Sequence, residues 1–150
     1  ASLSPDDRNN VEVITAGIPD ESIIRNIPFR NRNFGYVDIY KLAKMFGASD
    51  VYLSGAVIDA GPMMVNQALS SGIPVVAFQI GTALEVIKDQ GTGYCAKTAD
   101  SADFANGISW WYGLTGAEYG KISEKCREKA LRTTSYSACV NRIIDIYNGR

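Results

Sequence analysis

The 150-residue chain is 46% hydrophobic and carries 15 basic against 16 acidic side chains, a net charge of -1 with no histidine. That balance suits one globular domain with an adequate core and gives no bulk electrostatic footprint for nucleic acid or an anionic membrane. Without histidine the chain has no Ser-His-Asp or Cys-His chemistry of its own, so any general base is a carboxylate, a lysine or a tyrosine.

Residues 1–10 are polar, contain Pro5 and show no apolar period, so they read as a disordered lead or a trimmed edge, with the folded domain over 11–150. Val11–Ala16 is a short β-branched strand closed by Gly17 and Pro19, and Ser22–Ile27 offers a helical turn before Pro28. A second strand is expected around Phe34–Val37. Asp38 then caps a helix in which Ile39, Leu42, Ala43 and Phe46 fall at helical spacing before Gly47. Asp50–Phe78 reads as a short apolar strand, a loop carrying Asp59 and Gly61, a helix opening at Pro62, a stop at Gly72 and a strand from Pro74. That succession is the grammar of a parallel α/β sheet whose binding groups gather at the carboxyl ends of strands.

Gln79–Ala83 is a glycine turn into a short helix around Leu84–Lys88, and Gly91 with Gly93 makes a tight turn before a last strand, Tyr94–Lys97. Three helices close the chain. The first, 101–112, aligns Phe104, Ile108, Trp111 and Tyr112; the second, 117–132, aligns Tyr119, Ile122, Cys126 and Ala130. The third, 135–147, carries Tyr136, Cys139, Val140, Ile143, Ile144 and Tyr147, a stripe that needs a neighbour and, left partly exposed, favours self-association. Trp110, Trp111 and Tyr112 have the surfaces to stack a sugar, but their helical spacing reads as packing. Cys95, Cys126 and Cys139 are odd in number, widely spaced and without a CxxC pair, so they are expected as buried reduced thiols and not as a metal site. No apolar run approaches the ~20 residues that span a bilayer and the start has no secretory pattern, so a soluble domain is expected.

The helix expected at Pro62 carries the chemistry. Proline suits its first position, and the amides of Gly61, Met63, Met64 and Val65 with the positive end of the dipole can bind a phosphate without a lysine. The same residues can equally do no more than start a helix. Met64, Val65, Ala68 and Leu69 share the buried stripe, which leaves Gln67 and Met63 on the flank. Gln67 offers donor and acceptor to a vicinal diol, or sits solvated. Asp59 can accept hydrogen bonds from sugar hydroxyls, or simply lie near a helix start that favours its charge.

The succession FGYVDIYKLAKMFGASDVYLSG, AGPMMVNQALSSGIPVVAF and ALEVIKDQGTGYCAKTAD resembles the carboxyl-terminal domain of the family 4 retaining glycosyltransferases, which have the GT-B fold. The resemblance runs from about Val11 to the end, with the glycine before PVVAF and the later GTG turn where the family has them. It implies a Rossmann-like parallel sheet flanked by helices, one half of a GT-B fold, ending in three helices. It also implies that Tyr36, Val37 and Asp38 hold the base of a nucleotide-diphospho-sugar, and that Gly61, Met63 and Met64 meet its diphosphate and sugar. The family's Glu-x7-Glu pair falls on Asp59, the catalytic candidate beside the donor sugar, and on Gln67, at the ribose diol. Asp for Glu shortens the reach, and Gln for Glu loses the charge while keeping hydrogen bonds.

No metal or other cofactor is implied. The family's first strand and helix, with the basic residues that clamp the diphosphate, and its amino-terminal acceptor domain are expected ahead of Val11. The whole protein is then a cytoplasmic enzyme, at the inner face of a membrane where its acceptor is lipid-linked. It moves a sugar to a glycan or lipid-linked acceptor with retention, in polysaccharide or glycoconjugate synthesis. The chain alone is expected to bind donor weakly and to be inactive. The loss of the second glutamate leaves open a GT-B-like domain that binds without catalysis. No GxGxxG follows an expected strand, which disfavours a nicotinamide-binding Rossmann domain.

Overall fold

In a computed structural model that describes residues 4–18, 20–61, 63–81, 83–88 and 91–149, each of two units, Ala1–Ala48 and Ser49–Arg150, has its own parallel sheet. Composition alone suggested one unit; backbone pairing divides the strands into a two-stranded and a three-stranded sheet.

In the first unit, helix α1 (Pro5–Asn9) stands in the stretch expected to have no structure. Its cause is local. The Asp7 amide donates to the Ser4 hydroxyl at 3.1 Å and the Ser4 amide to the Asp7 carboxylate at 3.0 Å, a reciprocal cap that needs no apolar face. Strand β1 (Glu12–Thr15) pairs in parallel with β2 (Arg30–Asn33), from Glu12 opposite Arg30 to Thr15 opposite Asn33. Helix α2 (Glu21–Arg25), capped by Asp20, connects them. Strand β2 therefore ends before Phe34, and not at Val37 as its β-propensity suggested. All four of its side chains are exposed and polar, so no apolar signal marks it. It ends where the Gly35 amide donates to Asn33 Oδ1 at 2.7 Å and Gly35 turns left-handed with φ 62°. Helix α3 (Ile39–Gly47) follows the Asp38 cap; Phe46 is buried, Leu42 and Met45 are half-buried, and Ile39 and Ala43 of the expected stripe are exposed.

In the second unit, β3 (Tyr52–Ser54), β4 (Val75–Phe78) and β5 (Gly93–Ala96) form a parallel sheet in that order. Tyr52 lies opposite Val75, which lies opposite Gly93. The middle strand, β4, is buried at all four positions, as an apolar run covered on both faces requires. Helix α4 (Met63–Ser70) connects β3 to β4 and buries Val65, Ala68 and Leu69; Pro62, expected to open it, lies outside the described residues. Gly72 closes the turn after α4 with φ 76°. A π-helical turn at Leu84–Lys88 precedes β5, and the buried Thr92 hydroxyl donates to the Val86 carbonyl.

Helix α5 (Ser101–Tyr112) packs on β4 and β5, with the Phe104 and Phe78 rings 4.9 Å apart. Helix α6 (Gly116–Thr133) packs on α4 and buries Cys126 and Ala130. Helix α7 (Tyr136–Tyr147) buries none of its residues: Ile143 is 53% exposed and Tyr147 87%. The thiols are accordingly not all buried. Cys126 is, Cys95 is half-buried, and Cys139 is exposed because the α7 stripe that carries it is uncovered. Among the described residues no helix is long and apolar enough to cross a membrane.

Candidate functional site

The carboxyl end of β3 opens into the loop Gly55–Gly61, which exposes Val57, Ile58 and Asp59 and leads to the first turn of α4. A helix start presents amides without intrahelical partners and the positive end of the dipole, and here those amides belong to Met63, Met64 and Val65. The Gly61 amide is not among the open donors, as the sequence suggested it would be. It donates to Asp59 Oδ1 at 2.9 Å, an Asx-type turn that fixes the carboxylate just ahead of the helix. A carboxylate has two acceptor oxygens, so the turn leaves Asp59 capacity for a ligand hydroxyl.

Along α4, Met63 is 69% exposed and Met64 half-buried, while Val65, Ala68 and Leu69 anchor the helix in the core. Gln67 lies on the flank. Its Oε1 is buried and has no hydrogen-bond partner among the described residues, and the same holds for Asn66 Oδ1. Native interiors seldom leave such atoms unpaired, because an unmet buried acceptor costs about 1–3 kcal/mol. The far end of the helix is tied down. The hydroxyls of Ser70 and Ser71 donate to the Asn66 and Gln67 carbonyls at 2.8 and 3.0 Å, and Arg127 of α6 donates to the Ser71 carbonyl at 3.3 Å. The candidate residues at the start of α4 thus rest on a helix clamped at its other end.

In the first unit, Tyr36, Val37 and Asp38 lie between Gly35 and α3. Asp38 accepts the Lys41 amide at 2.8 Å as the helix cap, so one of its oxygens is structural. Tyr36 is 89% exposed and Val37 half-buried. The backbone there is pinned: the Gly17 amide donates to the Gly35 carbonyl at 2.7 Å, and Asn33 Nδ2 donates to the Thr15 hydroxyl at 2.7 Å. Gly17, Ile24, Arg25, Asn33 and Gly35 line a hollow of about 470 Å³ at the carboxyl ends of β1 and β2. Sequence reasoning did not single out this hollow; the Asn-x-Gly turn and the glycine after β1 were its signals. Among the described residues no group of three His, Cys, Asp or Glu side chains converges as a metal site.

Residues 24–132 match the glycosyl transferases group 1 family. The chain belongs to that family. No curated protein matches it. Among solved structures, this group 1 glycosyl transferase chain is similar to the sucrose-phosphate synthase of Thermosynechococcus elongatus, at 18% identity and a TM-score of 0.76 over 92% of this chain and 37% of that one. It is similar to HepE of Anabaena, solved in complex with UDP and glucose, at 18% identity and a TM-score of 0.77 over 100% of this chain and 47% of that one. It is also similar to the catalytic domain of the cholesterol-alpha-glucosyltransferase of Helicobacter pylori, at 18% identity and a TM-score of 0.71 over 83% and 80%. At these identities the likeness establishes the fold alone, that of a Rossmann-like half of the GT-B fold. The chain spans less than half the length of the first two.

Proposed function

We propose that this chain is the donor-binding part of a glycosyltransferase that takes a nucleotide-diphospho-sugar and passes the sugar, with its anomeric configuration kept, to a hydroxyl of a glycan or lipid-linked acceptor. The observation that carries the reading is the start of α4, where first-turn amides, the Asx-fixed Asp59 and the buried Oε1 of Gln67, which has no partner among the described residues, belong to one loop and helix. Family membership supports it, as does the UDP-glucose found with the structurally similar HepE. Each unit has a parallel sheet, and in parallel α/β sheets ligands gather at strand carboxyl ends.

In this reading the amides of Met63 and Met64 take the diphosphate, Gln67 the ribose diol, Tyr36, Val37 and Asp38 the base, and Asp59 the transferred sugar. The barrier falls through positioning and through amides aimed at the charge that develops on the leaving diphosphate. Holding that charge with a helix start needs no metal. The sugar joins a glycan or glycoconjugate on the cytoplasmic side of a membrane. Gln67, uncharged where the family has glutamate, favours as a second reading a domain that binds donors without transfer.

Equilibrium dialysis against UDP-glucose and GDP-mannose tests the proposal. Saturable binding of either, with no transfer product from this chain alone, is expected; no saturable binding of either overturns it. In the whole enzyme, a product with the donor's anomeric configuration is expected and an inverted product contradicts retention. Donor binding without turnover there selects the second reading.

A further inference from the structure

The second unit carries a hollow of about 310 Å³ lined by Asp50, Trp111, Tyr112, Leu114, Gly116 and Tyr119. It lies at the other end of β3 from the start of α4: Asp50 precedes the strand and Asp59 follows it. Helix α5 ends at this edge of the sheet and α6 begins there. None of its lining residues belongs to the donor site.

Three of the six lining residues are aromatic. Trp111 is fixed, because its indole Nε1 donates to the Asp50 carbonyl at 3.1 Å and its ring meets that of Tyr112 edge-on, with centroids 6.1 Å apart and planes at 64°. Tyr119 is half-buried, and burial first, then the negative charge of Asp50, pushes its phenol up, so that it stays a neutral O–H able to donate and accept. Among the described residues, the exposed Asp50 side chain forms no ion pair and no lysine or arginine lines the hollow.

Held aromatic faces, a carboxylate acceptor and a phenol that works in both senses match a ligand with an apolar C–H face rimmed by hydroxyls. An organic cation would use the rings and the carboxylate but gain nothing from the phenol's donor. We propose that this hollow binds a neutral oligosaccharide, with a pyranose ring against Trp111 and its hydroxyls taken by Asp50 and Tyr119. Its volume stands at the small end of ligand pockets, about 300–1,000 Å³, which suits one or two sugar rings. That such a glycan is the enzyme's own acceptor or product rests on the transferase reading; the chemistry of the hollow does not. A glycan tethered here is kept at high effective concentration near the enzyme.

The test is a titration of the isotope-labelled chain, followed by amide and indole signals. The probes are maltotetraose, chitotetraose and mannotetraose, with choline as the cation control and UDP as a separate reporter of α4. At least one tetrasaccharide, with a dissociation constant of about a millimolar, is expected to shift Asp50, Trp111 and Tyr119 saturably and leave Met63 and Met64 unmoved. Trp111→Ala and Asp50→Ala are each expected to weaken that binding about tenfold. Asp50 is exposed, so its variant keeps the fold even where loss of the indole does not. Silence with all three tetrasaccharides, shifts with choline alone, or saccharide binding untouched by Asp50→Ala overturns the proposal. UDP shifts at α4 with no saccharide shifts sink this inference alone, and the reverse pattern sinks the donor reading alone.

Discussion

Replacing Gln67 by methionine sets stability against binding. Methionine nearly reproduces the shape of glutamine and matches its helix propensity, so the helical term cancels and the change is the removal of a polar end. In the free chain that end includes a buried Oε1 with no partner among the described residues, and such an unmet acceptor costs about 1–3 kcal/mol. Because the residue is only half-buried, the low end applies, and Gln67→Met is expected to stabilise the second unit by about 1 kcal/mol. For a unit of about 100 residues, Ser49–Arg150, that raises the unfolding midpoint by about 4–8 °C. Both tryptophans, Trp110 and Trp111, lie in the second unit, so thermal unfolding followed by indole fluorescence reads the relevant part. Calorimetric titration of the same variant with UDP is expected to show binding weakened about tenfold, since a ribose diol loses its amide partner. A variant that is no more stable means that Oε1 is satisfied without ligand. Unchanged UDP affinity means that Gln67 does not touch the nucleotide, and either result refutes the reasoning.

Gly107→Ala is expected to destabilise the second unit. A Cβ there would sit 2.6 Å from Tyr94 Cδ1 and 2.7 Å from Val76 Cγ1, and overpacking of about 1–3 kcal/mol outweighs the ~1 kcal/mol gain in helix propensity; a urea midpoint that rises contradicts this. Iodoacetamide followed by mass mapping should label the exposed Cys139 first and Cys126 only on unfolding, because burial pushes the Cys126 thiol up to about 12. Acid should weaken the fold through Asp103 and Glu118. The Lys97 amide and then the Tyr94 hydroxyl lower the Asp103 carboxyl, and the Thr115 amide and then its hydroxyl lower that of Glu118. Depressed carboxyls contribute fully above the ordinary value near 4 and lose that contribution as pH falls through the lowered values, so stability drops only below about pH 4. Asp103→Asn should flatten the drop, and an identical acid profile contradicts the assignment.

The second unit was legible because its signals coincide. An apolar run buried on both faces marks β4, Gly72 marks the turn after α4, and the i, i+3, i+4 positions Val65, Ala68 and Leu69 are the ones buried. The first unit was less so. Strand β2 is Arg-Asn-Arg-Asn, held by ladder hydrogen bonds and by Asn33 and Thr15, none of which leaves an apolar period, so propensity pointed past the turn to Phe34–Val37. Capping at Ser4 orders a stretch whose composition alone reads as loose.

The sequence places Asp59 in the loop after β3 and Gln67 on the flank of α4, but it does not give their bonding. That the Gly61 amide is consumed by Asp59, and that Gln67 Oε1 has no partner among the described residues, depends on side-chain geometry that residue types leave open. The hollow at Trp111 escaped for the same reason. Helical spacing places Trp111 and Tyr112 on a face, but that they line one hollow with Asp50 and Tyr119 depends on where the end of α5 and the start of α6 come to lie.

The most direct test of the donor site compares UDP with uridine, which share base and ribose and differ by the diphosphate. The labelled chain is titrated with each while the amides of α4 are followed. If the helix start holds the diphosphate, UDP shifts Met63, Met64 and Val65 saturably and uridine leaves them in place. Equal shifts from both ligands, or silence of α4 with UDP, would contradict the account.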